Sequence, residues 1–374
     1  MQTATRQALA ESKFLRLPNL DLLCAYVLLL TSMLPTTDSP SLWIMLGTAV
    51  RLAQAQGLHR DGAALGLSPF DTEMRRRLWW YIVSLESRLT EIMGAESTLP
   101  VTTSTLLPCN INDSDLDPDM TAMPAVGPGA SDMMFCLVEY ETVRFLQRRD
   151  PRVDRVERVK PVDRNNATSN NAAQATGAGV DTRQIVTVSG LERYLEDTFL
   201  RFCDPVIPLH LLTTAVARSL IFKLRQMGHR GQSSQSSQSY RSSFHKQILK
   251  TAARTISYDN LIHTNPSLAG FQWHVHFWFP WGSPIFVLKI MATLRTAEEW
   301  DADVQAAWQQ IEALHEHHPE FSAFDADKPE YLVVGELTLK AWAARESIFG
   351  MPAPYSWQQR KDTSHGKFWR HEWL

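Results

Sequence analysis

Apolar residues recur every three or four positions along most of this 374-residue chain, which is the spacing of one face of an α-helix. Residues 17–33 carry leucines at this spacing, and Pro35 follows as a helix stop. Residues 40–56 repeat the pattern, and Gly57 supplies a residue that readily takes the left-handed conformation at a helix end. The pattern therefore predicts two consecutive helices near the N-terminus.

The clearest helical pattern begins at the stretch "LSPFDTE", residues 67–73. Ser68 is a suitable N-cap, Pro69 suits the first helical position, and Asp71 completes a capping box. A single apolar stripe follows, whose members are three or four residues apart: Met74, Leu78, Ile82, Leu85, Leu89 and Ile92. We therefore predict an amphipathic helix that buries this stripe and its rings and leaves its cations in solvent.

The rest of the chain alternates between helical patterns and polar segments. Proline, asparagine and aspartate dominate residues 100–129, which predicts an extended loop. Helical patterns follow over residues 131–149, 191–203, 209–227 and 243–263. Another stripe of apolar residues at helical spacing comprises Trp300, Val304, Ala307, Trp308, Ile311 and Leu314. Strand signals are almost absent, so the sequence predicts an all-α fold.

Two segments lack the apolar residues that a packed core requires. Residues 163–182 are mostly Asn, Ala, Thr and Gly, and residues 228–243 contain the tract "GQSSQSSQSYRSS". Neither segment can bury enough apolar surface to offset its ordering entropy. We therefore predict two disordered surface insertions within a single helical domain that covers residues 1–374.

Composition narrows the functional classes. The net charge is −3 and the pI is near 6.5, whereas a chain that grips a phosphate backbone is usually basic. The apolar run at residues 20–34 is too short and too mixed to span a bilayer, and no signal-peptide core precedes it. Four widely spaced cysteines form no zinc-cluster pattern and are typical of a reducing compartment: Cys24, Cys109, Cys136 and Cys203. We expect a soluble intracellular protein without a membrane partner.

The stretch "RRRLWWYI", residues 75–82, allows two interpretations. Basic side chains beside rings are typical of a nucleic-acid clamp, but consecutive helical residues lie about 100° apart, so the three arginines cannot all face one phosphate track. Asp71 and Glu73 lie four residues before the first and third arginines, which is the favourable order for ion pairs on a helix. We favour a structural role in which Trp79 packs inward, and direct nucleic-acid contact remains the alternative.

Two motifs lie close together in residues 43–120. The first is "AVRLAQAQGLHRD", residues 49–61, and the second is "EMRRRLWW", residues 73–80. With the loop "LPCNINDSDLDPDM", residues 107–120, they resemble the middle homology region of fungal zinc-binuclear-cluster transcription factors. The positions that carry the resemblance are Arg51, Gly57, His59, Arg60, Asp61, Glu73, Arg75, Arg76, Arg77, Trp79 and Trp80.

The resemblance implies an all-helical regulatory domain that senses metabolites or sets the activity of a transcription factor in the nucleus. Members of that family usually begin with six cysteines that hold two zinc ions and bind DNA, and the four cysteines here do not match that cluster. We therefore expect a transcription regulator, without its own zinc cluster, of a fungal secondary-metabolite gene cluster. It would reach DNA through a partner or through an upstream module that this sequence lacks.

Two other functions stay open. A standalone binding module would pair with full-length regulators and inhibit them. An enzyme on a helical scaffold is less favoured, because the sequence contains no catalytic constellation or nucleotide-binding loop. The expected partners are other transcription factors or coregulators and a small-molecule effector, and we expect neither a cofactor nor a metal.

Two histidine-containing stretches in the C-terminal third are candidate binding sites. In "LHEHHPEF", residues 314–321, His315, His317 and His318 do not have the spacing of a zinc-protease motif, so we interpret them as partners of a helix C-terminus. The most aromatic stretch, residues 271–295, is interpreted as core, with a pocket for a flat or apolar ligand as the alternative. The candidate pocket residues are Trp273, His274, His276, Trp278 and Trp281.

Overall fold

The structure is a computed structural model that describes residues 2–16, 19–95, 97, 99, 104–148, 185, 187–229, 238–322 and 329–350. Every regular element in these residues is a helix, which confirms the predicted all-α fold. The chain divides into two compact units, of which unit 1 comprises residues 1–228 and 276–278 and unit 2 comprises residues 229–275 and 279–374. The interpretation of residues 1–374 as one domain stays a prediction.

Unit 1 is built on helices α1 to α7. They span Gln2–Glu11, Leu20–Met33, Ser39–Ala55, Pro69–Met93, Met134–Arg148, Val188–Thr198 and Pro208–His229. Helix α3 packs on both α2 and α4, and α4 packs on α5. Short 3-10 turns lie between helices at Ala63–Leu65, Asp113–Asp115 and Leu200–Phe202.

Side-chain caps set where the early helices begin. Asn19 accepts a hydrogen bond from the N–H of Leu22 at the start of α2, and Asp38 does the same for the N–H of Ser41 at the start of α3. Ser68 caps α4 as predicted. Gly57 follows α3 with a φ of +75°, a conformation that only glycine adopts without strain, which confirms the predicted helix stop.

Helix α4 is buried on nearly all sides, and this corrects the predicted single stripe. Its buried residues include charged ones, since Glu73, Arg76 and Arg88 have 0%, 7% and 3% of their surface exposed. The prediction that the cations of this helix stay in solvent is therefore wrong for Arg76 and Arg88. Buried cations of this kind require ionic or hydrogen-bonded partners inside the fold.

Unit 2 is built on helices α8 to α12, which span Gln238–Thr264, Gln272–Trp278, Gly282–Met291, Ala302–His317 and Pro329–Phe349. The last three residues of α9 belong to unit 1. The 3-10 turn Pro266–Phe271 precedes α9, and the 3-10 turn Pro319–Ser322 follows α11. The predicted stripe from Trp300 to Leu314 is confirmed, because all six of its members are buried.

Helices α8 and α11 lie side by side and run in the same direction. Lys246 and Lys250 of α8 form ion pairs of 2.7 and 3.0 Å with Asp301 and Asp303 at the beginning of α11. Toward the other end, the side-chain amide of Asn260 donates to the backbone carbonyl of Gln310 over 3.0 Å and to its side chain over 3.1 Å. These contacts bring the C-terminal ends of the two helices together.

The structure revises one of the two predicted insertions. Residues 228–229 end α7 and residues 238–243 begin α8, so these parts of the segment 228–243 are helical. Extending a helix adds one hydrogen bond for each residue that is ordered, and Ser and Gln oppose this extension only weakly. Residues 230–237 and the insertion at 163–182 lie outside the described residues. Among the described helices, none has the length and apolarity needed to cross a bilayer.

Candidate functional site

The two sequence motifs meet in unit 1 through a buried ion pair. Arg76 of α4 binds Asp61 with two parallel hydrogen bonds, Nε to Oδ2 at 2.8 Å and Nη2 to Oδ1 at 2.9 Å. The N–H groups of Leu106 and Ala63 also donate to this carboxylate, over 3.0 and 3.2 Å. The carboxylate is thus satisfied on both oxygens, and two-point pairing of this kind fixes the relative orientation of its partners.

Opposing effects set the charge state of this pair. Burial raises the pKa of Asp61, but hydrogen bonds from Arg76 and Leu106 outweigh it and hold the pKa below its usual value of 3.8. Burial lowers the pKa of Arg76, but its hydrogen bonds and ion pair with Asp61 outweigh burial and raise the pKa above its usual value. Both side chains are therefore charged at neutral pH, so the turn after α3 is fastened to α4 by an ion pair.

A second set of contacts fastens the loop after α4 to the same helix. Glu73, which is fully buried, accepts a hydrogen bond of 3.1 Å from Nε of Arg77, as the sequence predicts. It also accepts the backbone N–H of Cys109 on both oxygens, at 3.2 and 3.1 Å. Arg77 in turn donates to Asp113 over 2.6 Å. We name the two sets together, Asp61, Glu73, Arg76 and Arg77 with residues 104–113, the motif cluster.

Arg75, the first arginine of the motif, has a different partner from the predicted one. Arg75 donates to the backbone carbonyl of Gln56, 2.5 Å away, at the C-terminal end of α3. Asp71, the predicted partner, instead accepts a 2.7 Å hydrogen bond from the hydroxyl of Ser68 in the helix cap. The predicted pair between Asp71 and Arg75 is therefore wrong. Asp71 is hydrogen-bonded to the N-cap residue of α4, and Arg75 donates to a carbonyl at the end of α3, where carbonyls lack partners within the helix.

The tryptophans of the motif are buried, which confirms the inward packing predicted for Trp79. Trp79 and Trp80 have 1% and 2% of their surface exposed. The indole N–H of Trp80 donates to the carbonyl of Leu106 over 2.9 Å, and its ring stacks on Tyr140 with centroids 6.2 Å apart. Burial makes both indole rings core residues, so these rings are not available to stack on nucleic-acid bases.

The remaining motif positions differ in their exposure and contacts. Arg51 is exposed and donates to the carbonyl of Gly47 in its own helix, over 3.4 Å, and Arg60 is also exposed. His59 is half-buried, and its ring centroid is 6.3 Å from that of Trp79. Burial and the nearby Glu73 raise the pKa of Cys109 to about 11, so this thiol stays protonated. The arrangement holds a fold together and offers no activated nucleophile at these positions.

Gly62 is a member of the site that the sequence analysis missed. A Cβ at this position would lie 2.7 Å from Oγ1 and 2.9 Å from Cα of Thr72, which is part of α4. The turn that carries Asp61 can approach α4 this closely only without a side chain. No single-sequence signal marks this glycine, because its φ of −61° is ordinary and the restriction comes from a distant residue.

Replacing Gly62 with alanine is expected to lower the free energy of unfolding by about 1–3 kcal/mol, because the new methyl group collides with helix backbone and forces a shift. Urea denaturation monitored by tryptophan fluorescence measures the change. Gly127→Ala is the matched control, since a Cβ there meets nothing within 4 Å, and it should change stability by less than about 0.5 kcal/mol. Equal effects of the two substitutions would contradict the close approach.

A buried cation beyond the motif positions also went unpredicted. Arg88 of α4 donates from Nε and Nη2 to the backbone carbonyl of Phe277, both over 3.2 Å, and from Nη1 to Glu91 over 2.9 Å. Lys223 of α7 forms a second ion pair with Glu91. Burial raises the pKa of Glu91, but Arg88 and Lys223 outweigh it and lower the pKa to about 2. The partners come from distant parts of the sequence, so spacing along α4 could not reveal them.

The five candidate pocket residues have different surroundings. Trp273 is 51% exposed, whereas His274 is buried, and the centroids of their two rings are 5.4 Å apart. Trp281 packs against Phe279 in unit 2, and Trp278 packs at the edge of the core of unit 1, to which the half-buried His276 also belongs. Core packing describes most of these residues, and a ligand pocket here stays a prediction.

The three histidines near residue 318 have different roles. His315 and His317 lie in the last turn of α11, consistent with the helix-end interpretation, and Nε2 of His315 is 3.0 Å from the hydroxyl of Thr338. His318 follows the helix, and its Nε2 lies 2.8 Å from Oδ2 of Asp259. Burial raises the pKa of Asp259, but hydrogen bonds from His263 and His318 outweigh it and keep the carboxylate ionised. Neither Asp259 nor His263, one helical turn further along α8, stands out in the sequence as a site residue.

Comparison with known proteins identifies the region that contains the motif cluster. Residues 3–137 match the family described as the fungal specific transcription factor domain. This range includes both motifs and the loop that follows them, so it confirms the resemblance inferred from residues 43–120. No solved structure gives a significant match to the chain.

Curated relatives match nearly the whole chain. The aurofusarin cluster transcription factor aurR2 of Gibberella zeae is 30% identical, over 91% of this chain and 48% of its own length. The transcriptional regulator AacuB of Aspergillus aculeatus is 31% identical, over 93% and 45%. The pyriculol/pyriculariol biosynthesis cluster transcription factor 1 of Pyricularia oryzae is 28% identical, over 92% and 44%. The chain thus spans about half the length of these relatives.

Proposed function

We propose that the chain, whose residues 3–137 match the fungal specific transcription factor domain family, is the regulatory region of a transcription regulator. In this proposal the regulator acts in the nucleus on a secondary-metabolite gene cluster. The similarity to relatives named as cluster transcription factors supports the target class. We propose a binding function without catalysis, in which partners are other transcription factors or coregulators and an effector is a small molecule.

The observation that carries this proposal is that the motif arginines bind groups of the chain itself. Arg76 and Arg77 are bound by buried or neighbouring carboxylates, and Arg75 is bound by a backbone carbonyl. Lysine and arginine side chains bind nucleic acid by neutralising its phosphates, so they must be exposed to reach the backbone. In this proposal the motif holds the turn after α3 and residues 104–113 against α4, and DNA is reached through a partner or another protein segment.

A fusion experiment tests the regulatory function. The full chain is joined to a heterologous DNA-binding module in a yeast reporter strain, and the transcription of an activatable and a repressible reporter is measured. We expect the wild-type fusion to change transcription from at least one reporter. Arg51→Ala should preserve that change, because Arg51 is exposed, whereas Arg76→Met should reduce it by disturbing the motif cluster.

Protein levels and nuclear location of each fusion are checked by immunoblotting and microscopy. A wild-type fusion that is abundant in the nucleus and leaves both reporters unchanged would contradict the proposal.

Fluorescence anisotropy of the purified chain with labelled duplexes, at physiological salt, tests the indirect route to DNA. Tight and selective binding of one duplex by the chain alone would exclude that route.

A further inference from the structure

Three side chains of unit 2 bring metal-binding atoms together at the C-terminal ends of α8 and α11. Asp259 and His263 lie four residues apart on α8, which places them on one face of the helix. His318 follows α11 directly. One ligand atom from each of the three residues lies within 4.8 Å of the other two. Oδ2 of Asp259 is 2.8 Å from Nε2 of His318 and 3.4 Å from Nδ1 of His263.

The carboxylate of Asp259 is incompletely satisfied. Its side chain is only 2% exposed, and its Oδ1 atom is buried without a hydrogen-bond partner. A buried carboxylate oxygen normally has a donor or a cation beside it, because desolvation without compensation costs free energy. The orphaned oxygen lies on the same carboxylate that both histidines approach. The unpartnered Oδ1 atom therefore indicates that a cation can bind beside this carboxylate.

The surroundings suit a bound metal ion. His318 packs against the rings of Phe279 and Phe321, with centroids at 5.0 and 4.9 Å, so an apolar shell fixes its orientation. Such a shell lowers the local dielectric and strengthens the attraction between a cation and the carboxylate. The side chain of His263 is 13% exposed and therefore provides access from solvent.

We propose that Asp259, His263 and His318 form a zinc-binding site. Two imidazoles and one carboxylate are a ligand set that Zn²⁺ adopts, with metal–ligand distances of about 2.0–2.2 Å. In a tetrahedral site these distances place neighbouring ligand atoms about 3.3 Å apart, close to the observed 3.4 Å between His263 and Asp259. Binding moves His318 and Asp259 apart by a few tenths of an ångström and replaces their hydrogen bond. It also replaces the 2.9 Å contact between Nδ1 of His263 and the backbone carbonyl of Asp259, and each imidazole then carries its proton on the other ring nitrogen.

The proposed site has a clear structural consequence. Zinc would tie the end of α8 to the residue that follows α11, beside the existing bonds between Asn260 and Gln310. Three protein ligands leave the fourth position of a tetrahedral ion open for water or for an anionic group of a ligand. The site is separate from the cysteine-held zinc cluster that the family resemblance implies, because none of its ligands is a cysteine.

Zinc titration of the purified, metal-free full chain tests the proposal. We expect wild-type protein to take one zinc ion per chain in competition with a chromophoric chelator. Asp259→Asn and His263→Gln should each weaken this binding by about tenfold or more, since a directly bound group is lost. His317→Gln is the matched control, because that ring stacks on His263 at 5.4 Å but lies outside the three-residue site, and it should bind zinc like the wild type.

X-ray absorption spectroscopy of the zinc-loaded wild type gives a readout that does not depend on the folding of any variant. We expect nitrogen and oxygen ligands, with two imidazoles at about 2.0–2.1 Å. Far-UV circular dichroism confirms that each variant is folded before it is titrated. The proposal is overturned if the wild type binds no zinc at micromolar concentrations, if the absorption spectrum shows sulfur ligands, or if folded Asp259→Asn and His263→Gln bind zinc as the wild type does.

Discussion

Arg76→Met is expected to lower the free energy of unfolding of unit 1 by about 3–5 kcal/mol. The substitution removes the cation that neutralises Asp61, and both side chains are 9% exposed, so solvent cannot replace the lost partner. The methylene groups of methionine keep most of the packing of the arginine stem. The effect is therefore that of a buried, unpaired carboxylate. Urea denaturation followed by tryptophan fluorescence measures it, because Trp79 and Trp80 lie in the same core.

Two further variants separate charge from packing. Asp61→Asn combined with Arg76→Met should recover part of the loss, because the neutral side chain still accepts hydrogen bonds and leaves no charge behind. Arg51→Ala, at an exposed arginine of the first motif, should change stability by less than about 0.5 kcal/mol. A loss in Arg76→Met no larger than that in Arg51→Ala would show that the ion pair does not stabilise the fold.

The pH dependence of the same variants has a defined sign. Asp61 has a lowered pKa in the folded protein, so its contribution is present above the usual value of 3.8 and is lost as the pH falls through the lower, folded value. Wild-type stability should therefore fall more steeply below about pH 4 than the stability of the double variant. Equal slopes in acid would contradict the assigned role of Asp61.

Trp308→Ala should destabilise unit 2 by about 3–5 kcal/mol, the usual cost of removing a large buried aromatic side chain. Trp308 is fully buried in α11, and its ring meets those of Trp300 and Trp342 edge-on, at 5.8 and 4.7 Å. The guanidinium of Arg345 lies 5.3 Å from the ring centroid, and the indole N–H donates to Glu312 over 2.6 Å. The truncation removes all of these contacts and leaves a cavity.

Trp273→Ala is the matched control for this substitution. Trp273 is 51% exposed, so its loss should change stability by less than about 1 kcal/mol. Thermal unfolding monitored by circular dichroism compares the two variants directly. Similar melting temperatures would mean that the rings around Trp308 do not form a cooperative core. Trp308→Phe, which keeps part of the ring volume, should fall between the wild type and the alanine variant.

Local sequence signals predicted the elements whose causes are local. The cap at Ser68, the stop at Gly57 and the buried stripe from Trp300 to Leu314 all depend on residues a few positions apart, and the structure contains all three. The i,i+4 pair between Glu73 and Arg77 is another example. Such features depend on residues that are close in the sequence, so one sequence is enough to predict them.

Features that depend on distant partners were missed or misassigned. Fifteen positions along the chain separate Arg76 from Asp61, and 59 separate His318 from Asp259. Helical periodicity placed charged residues of α4 in solvent. The pattern of one helix does not show which distant carboxylate or carbonyl pairs with a charged residue. For Arg88 that partner is the carbonyl of Phe277, 189 positions away. Tertiary pairing therefore overrides the pattern of a single helix.

The segment that follows α4 has two parts with opposite tolerance to changes of length. Between residues 104 and 113, backbone groups are bound in register to His59, Asp61 and Glu73. One additional amino acid there would displace every later bond by a full residue. Residues 121–126 are mostly exposed. An epitope tag or a fluorescent reporter inserted within 121–126 would therefore allow the protein to be detected in living cells without disturbing its folding.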